Sequence, residues 1–326
     1  MMDGEDLELF ERSLRHATET HTGTALDAAL DELGWHEAMA EDPRAAIATL
    51  FGLQGGANVT SSALDHVLVS ALGLDGDADA GIVLPDVGRW DPPGWIDGSD
   101  LHSSVLSVAG LATAGLAEQR HALVVSSIDE KVIALRVPVP SLVLRPIHGI
   151  DPSLGLLQVT AERLPVTAEA EVVPGDWDRA VALARLAVAH ELVGASRRML
   201  ELAREHALER VQFGQPISSF QAIRHRLAET LVAIEMADAV LDAAWLDGSV
   251  TTATMAKGVA GRQARTTARH CQQVLAGIGF TTEHPLHLYI RRTLVLDGLL
   301  GTATTLTKAL GDELISSRQL PPLLPL

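Results

Sequence analysis

Arg210, Gln273, Gly277 and Gly279 supply what a diphosphate asks of a protein: a fixed positive charge, directed donors, and glycines where the backbone must approach oxygen. Arg210 ends a helical stretch whose turn is made by Gly214, and Gln273 stands four residues before the first of two glycines that follow a second helical stretch. The same residues also suit a plain helix C-terminus, with an arginine on the negative end of the dipole and a left-handed glycine cap. Glu283, His284 and His287 could be drawn as metal ligands, but no second His/Asp pair is placed to complete a set, so no metal is expected. The sequence has no Gly-x-Ser-x-Gly elbow, P-loop or Gly-x-Gly-x-x-Gly fingerprint, which leaves hydrolase and nucleotide-kinase readings without support.

The elements that must position these residues are long helices, expected over 177–208, 217–247, 251–275 and roughly 285–316. Gly214 and Pro216 separate the first two, and Gly277 and Gly279 separate the last two. From about 76 to 174 the grammar changes to short apolar runs bounded by Gly, Pro and Asp, such as Ala122 to Ser126 and Val132 to Val137, which predicts an antiparallel β domain. Before it, Leu7, Phe10 and Leu14, then Leu26, Leu30 and Leu33, recur at helical spacing. Thr22 or Thr24 is expected to cap one helix, and Asp42-Pro43 to start another. The expected fold is α+β: a helical domain over 1–75, a β domain over 76–175, a helical bundle over 176–318 and a non-helical tail over 319–326.

A chain of 326 residues with 47% hydrophobic content can bury a large core. Its net charge of -17, from 25 basic against 42 acidic residues, leaves no surplus for a phosphate backbone, so nucleic acid is not an expected partner. Cys271 is the only cysteine, which rules out an internal disulfide and, within one chain, a cysteine-based zinc or iron–sulfur site; a reducing cytosol fits. The N-terminus is acidic and periodic, unlike a signal peptide, and the longest apolar run, Val105 to Ala117, is short of the ~20 residues a membrane helix needs. A cytoplasmic protein with no membrane segment is expected.

The stretch Glu209 to Glu229, with its Arg210-x-Gln212-Phe213-Gly214 turn, Phe220-Gln221 helix start and His225-x-Leu227-Ala228-Glu229, resembles the signature of the acyl-CoA dehydrogenases. So does Gln273-Val-Leu-Ala276-Gly277-Ile-Gly279-Phe280-Thr-Thr-Glu283-His-Pro285, which follows in the family's order. The resemblance implies the cofactor FAD and an oligomer together. One subunit's Arg210, Gln212, Phe213, Gln221, Gln273 and Gly277 would meet the adenosine and pyrophosphate end of a flavin whose ring lies in its neighbour. Ala276 departs from the family pattern, where a glycine stands.

The family's base, a glutamate that takes the proton beside the thioester carbonyl, precedes a Gly-Thr; that place is Leu300, before Gly301-Thr302. The alternative place on the preceding helix falls on Ala184, so both are empty. Glu191 shares a helical face with 184, 187 and 188 but stands where a structural acid is expected. Asp297 lies three residues before Leu300, with a shorter reach. The Thr-Glu-Pro and Gly-Ser segment that cradles the flavin ring has no counterpart between 76 and 174.

A chain that keeps the far-end flavin contacts without the base resembles the smaller subunit of the heterotetrameric acyl-CoA dehydrogenases of steroid-degrading actinobacteria. The implied partner is a full-length homologous subunit in an α2β2 assembly, which would carry the base and most of the acyl-CoA site. A self-sufficient enzyme with a relocated base at Glu191 or Asp297, and a non-catalytic structural subunit, are the alternatives.

Overall fold

The computed structural model describes residues 4–74, 80–98, 104–128, 131–166, 170–171 and 176–318. The domain boundaries expected near 75 and 175, and the tail 319–326, fall outside those residues. The chain divides into two compact units, one of residues 1–43, 59–184 and 298–301, the other of residues 44–58, 185–297 and 302–326.

In the first unit, α1 (Gly4–Thr20), α2 (Thr24–Glu32), α3 (Trp35–Glu41) and α5 (Ala63–Ala71) turn apolar stripes inward, with Leu14, Leu26, Trp35, Val67 and Leu68 fully buried. Neither threonine caps α2. Gly23 holds that position at φ 63°, and Thr22 Oγ1 accepts the Thr60 N–H at 3.1 Å. The strands are β1 (Ala80–Ile82), β2 (Leu84–Pro85), β3 (Gly94–Asp97), β4 (Val105–Ala112), β5 (His121–Ile128), β6 (Lys131–Pro138), β7 (Val143–Pro146), β8 (Leu157–Pro165) and β9 (Ala170–Glu171). They form one sheet in the order β7-β8-β4-β3-β5-β6-β9, with β1 on β5 and β2 on β4. Most pairs are antiparallel as expected. Two are parallel, β1 with β5 and β3 with β5, because β5 returns beside strands that precede it by long connections. Val108, Val124, Leu135 and Val159 fill its core.

The second unit holds α4 (Pro43–Ala57, except its first residue), most of α6 (Trp177–Glu209), α7 (Gln221–Asp247), α8 (Val250–Leu275), α9 (Leu286–Gly298, to Asp297) and α10 (Ala303–Ser317). Pro43 opens α4, as its placement after Asp42 predicts. A Cβ on Gly55 would strike the carbonyl oxygen of Glu191, and one on Gly194 that of Gly52, so α4 and α6 cross backbone to backbone.

The single helix expected over 285–316 is two. Leu300 and Gly301 adopt positive φ, 58° and 101°, which no α-helix accommodates. The Asp297 carboxylate pairs with Arg265 and accepts the Ala303 N–H at 3.0 Å, satisfying a donor at the start of α10. Lys257 Nζ donates to the Asp297 carbonyl oxygen at 3.1 Å, and burial pushes that amine down to about 8. A periodic apolar pattern continues across this break, which is why sequence spacing did not reveal it.

Candidate functional site

The site is built at one end of the helices of the second unit. α6 stops at Glu209, where the Arg210 N–H donates to His206 O at 2.9 Å and the Ile217 N–H donates to Arg210 O at 2.8 Å. Those bonds close a hairpin of β10 (Val211–Gln212) on β11 (Gln215–Pro216). Its two turn residues, Phe213 at φ 54° and Gly214 at φ 79°, both lie in the left-handed region, the requirement of a type I′ turn. Gly214 takes that conformation freely. Phe213 does not, yet its ring projects 91% exposed and meets Phe220 edge-on at 6.0 Å, immediately before α7 opens at Gln221.

The other half follows α8. Ala276 stands at φ 51°, ψ -130°, and leads a 3-10 turn over Ala276–Phe280. Gln272 Nε2 donates to Gly279 O at 3.2 Å. A Cβ on Gly279 would press on Gln272 O and Leu275 Cβ, both at 2.9 Å, so this glycine serves packing. Gly277 differs: a Cβ there meets nothing within 4 Å, leaving its backbone open. At the far end His284 Nδ1 accepts the Leu286 N–H at 3.2 Å, where α9 starts.

One apolar cluster joins the halves. Ile217 and Ile223 from the first and Ile278 from the second pack on a core that includes Leu202, Val274, Leu275 and Leu286. His206 and His284 meet edge-on at 6.3 Å. Both imidazoles are shifted down by burial, His206 further by Arg210 and His284 further by His206. The sequence offered His284 only as a metal ligand and gave His206 no role here, although His206 precedes Arg210 by four residues on one helical face.

Arg210, Gln212, Phe213, Gln221, Gln273 and Gly277 are therefore brought to one end of one unit, and all are exposed. Among the described residues the Arg210 guanidinium makes no ion pair or hydrogen bond. A guanidinium without such a partner, at the same end of the unit as an open glycine turn, has the chemistry an anionic diphosphate requires. Phe213 and Phe280, the latter 72% exposed, add bare aromatic surface there.

The residues weighed for proton abstraction are placed differently. Leu300 and Ala184 are buried and carry no acid or base. Glu191 is 3% exposed, with Oε1 on Arg292 Nη1 at 3.2 Å and Oε2 accepting from Gln54 Nε2 at 3.3 Å; a carboxylate so held is a packing partner. Asp297 is fully buried and committed to Arg265 and Ala303. Among the described residues no group of three or more side chains could hold a metal ion, and no helix is long and apolar enough to cross a membrane.

Residues 178–315, less than half of the chain, match the family profile of the acyl-CoA dehydrogenase C-terminal domain. Acyl-CoA dehydrogenases are FAD-dependent. The chain is 39% identical over 166 residues to acyl-CoA dehydrogenase FadE34 of Mycobacterium tuberculosis, a match that takes in 49% of this chain and 23% of that protein. Among solved structures, the Tcur3481-Tcur3483 steroid ACAD G363A variant superposes at a TM-score of 0.80 with 21% identity, over 97% of this chain and 99% of that one. The ChsE4-ChsE5 complex from Mycobacterium tuberculosis does so at 0.78 with 20% identity, over 99% of each. Mixed helix and sheet with this helical domain is the acyl-CoA dehydrogenase fold.

Proposed function

We propose that this chain, which carries an acyl-CoA dehydrogenase C-terminal domain on the acyl-CoA dehydrogenase fold, is the supporting subunit of a hetero-oligomeric dehydrogenase. It lends adenosine and pyrophosphate contacts to FAD held mainly by a longer homologous partner, and that partner supplies the base. The observation that carries this reading is a contrast: the free Arg210 guanidinium and the open Gly277 turn share one exposed end of the bundle, whereas Leu300 and Ala184 are buried and apolar.

Arg210 holds negative charge, Gln212 and Gln273 present amides to a sugar or base edge, and the Gly277 backbone admits a phosphate oxygen. Phe213, fixed by Phe220, covers a planar ring. FAD held there would supply a hydride acceptor for the carbon next to the one losing its proton. Glu191 and Asp297 stay with their structural partners, so the proton leaves to a carboxylate of the other polypeptide. Two solved neighbours, a steroid ACAD and a ChsE4-ChsE5 complex, support a two-component assembly and a bulky, steroid-derived thioester. We place the protein in the cytoplasm, consistent with its single buried cysteine.

The test is the flavin absorbance and subunit ratio of the chain purified alone and after co-expression with a longer homologue. Flavin appears only in the complex, and Arg210→Ala in this chain lowers its occupancy at least tenfold while the complex stays assembled. Stoichiometric flavin and turnover in the isolated chain, abolished by Glu191→Gln, would establish the self-sufficient alternative instead.

A further inference from the structure

The start of α7 and the end of α8 carry Gln221 and Gln273, one amide on each half of the exposed end of the bundle. Ile223 and Leu227 of α7 and Ala268, Cys271 and Val274 of α8 belong to one apolar cluster. Apolar contact is non-directional, so it draws the helices together without fixing how one slides along the other. Direction comes from His270, buried on α8 and bonded to α7 through both ring nitrogens. Arg226 Nη1 lies 3.0 Å from its Nε2, and Thr230 Oγ1 lies 3.0 Å from its Nδ1.

A guanidinium has no acceptor, so Nε2 accepts from Arg226 and the ring proton sits on Nδ1, donating to Thr230. The Thr230 hydroxyl donates in turn to Arg226 O at 2.7 Å. The run of donors closes on Arg226, and only a neutral His270 of one tautomer satisfies it. Protonating Nε2 would set a second donor and a second positive charge against Arg226 at 3.0 Å. The charged groups that bear on the ring are Arg226 and Glu229 from α7 and Arg269 beside it on α8. Burial first, then Arg226, hold the imidazole below its usual 6.5; Glu229 opposes them and Arg269 adds to them. Glu229 stands 3.5 Å from Arg226 itself. At 1.5 Å per residue this lock sits about 7.5 Å along α7 from Gln221 and about 4.5 Å along α8 from Gln273.

We infer that neutral His270 is a positioning residue for the flavin: through Arg226 and Thr230 it sets the register of α7 on α8, and so the spacing of Gln221 and Gln273 at the adenosine and pyrophosphate end. This role rests on the proposed flavin contacts and adds a dependence on pH to them. The contribution of His270 is full above 6.5 and is lost as pH falls through the lower value that the folded chain imposes.

The test is the FAD affinity of the co-expressed complex at pH 8 and pH 5, with assembly checked by sedimentation. Loss of one charge-assisted hydrogen bond corresponds to about tenfold, so the wild type is expected to bind FAD about tenfold more weakly at the lower pH. His270→Ala is expected to lose about tenfold at both pH values. Glutamine accepts from Arg226 and donates to Thr230 as the neutral ring does, yet takes up no proton, so His270→Gln is expected to hold the wild-type pH 8 affinity at both. In the full chain without flavin, the nitrogen-15 shifts of the His270 ring are expected to report Nδ1–H at pH 8 and a titration below 6.5. The role is overturned if His270→Ala binds FAD as the wild type does, if His270→Gln keeps the wild-type fall with pH, or if the ring carries its proton on Nε2 at pH 8. Arg210→Ala separates the two claims. FAD affinity indifferent to Arg210→Ala overturns the flavin contacts and this role together, whereas affinity lowered by Arg210→Ala but untouched by His270→Ala overturns this role alone.

Discussion

Ala276 joins the exposed turn that follows α8 to the helix before it, and its φ of 51° with ψ of -130° is a conformation that glycine adopts and alanine resists. Such placements cost on the order of 1–3 kcal/mol and persist where the surroundings enforce them. Here the Gln272 amide on Gly279 O and the burial of Leu275 and Gly279 fix the turn on both sides. Ala276→Gly relieves the strain at the cost of greater freedom in the unfolded chain. The net expectation is a gain of about 1 kcal/mol, measured by urea unfolding. If the turn meets a phosphate as proposed, the same change also removes a methyl from that contact, and cofactor retention in the complex is expected to rise with it. Glu191 belongs to the same scale. It shares the 184, 187, 188, 191 face yet stands where a structural acid is expected from sequence, and its bonds to Arg292 and Gln54 are those of a packing partner.

At the scale of elements, the crossing of α4 and α6 is made by glycines. Gly55 on α4 meets the Glu191 backbone of α6, and Gly194 on α6 meets the Gly52 backbone of α4, with no room for a side chain at Gly55 or Gly194. Helix propensity alone says that Gly194→Ala stabilises the interior of α6 by roughly 1 kcal/mol. Collision with the Gly52 carbonyl reverses the sign, and the expected outcome is a loss of about 1–3 kcal/mol in denaturant unfolding. A neutral or stabilising result would mean that α4 and α6 do not meet backbone to backbone. The break between α9 and α10 belongs to the same scale. Three polar groups, Arg265, Lys257 and the Ala303 N–H, converge on Asp297, and none of them is near it in sequence except Ala303.

At the scale of the whole molecule, two buried titrating groups bend stability in opposite directions. Asp65 is buried, burial lifts it to about 8, and its carboxylate accepts from the Thr113 hydroxyl at 2.7 Å. The folded protein therefore holds a proton that the unfolded chain releases near 4, so this group's contribution is full below about 4 and is lost as pH rises through about 8. His190 is the mirror case. Burial lowers it to about 4 while Trp245 Nε1–H donates to its Nε2 at 2.9 Å, so stability falls as pH drops below about 6.5 towards 4. Asp65→Asn should leave the melting temperature near that of the parent at pH 4 and raise it by several degrees at pH 8. Equal shifts at the two pH values would mean that Asp65 is ionised in the folded state.

The helical bundle and the motif residues were legible from sequence because they rest on local rules. Apolar periodicity marks a helix that buries one face, and glycine and proline mark where backbone conformation must change. Arg210, Gln273 and Gly277 stood out by residue type, while Gln212, Phe213 and Gln221 came only from the resemblance to the acyl-CoA dehydrogenase signature. Periodicity could not locate the stop at Leu299–Thr302, since an apolar pattern runs through it and the cause is a carboxylate held by groups far along the chain. Nor could it show that Gly279 serves packing while Gly277 stands open, or that Arg210 makes no ion pair among the described residues. Those are facts about neighbours, and only the folded chain determines which atoms become neighbours.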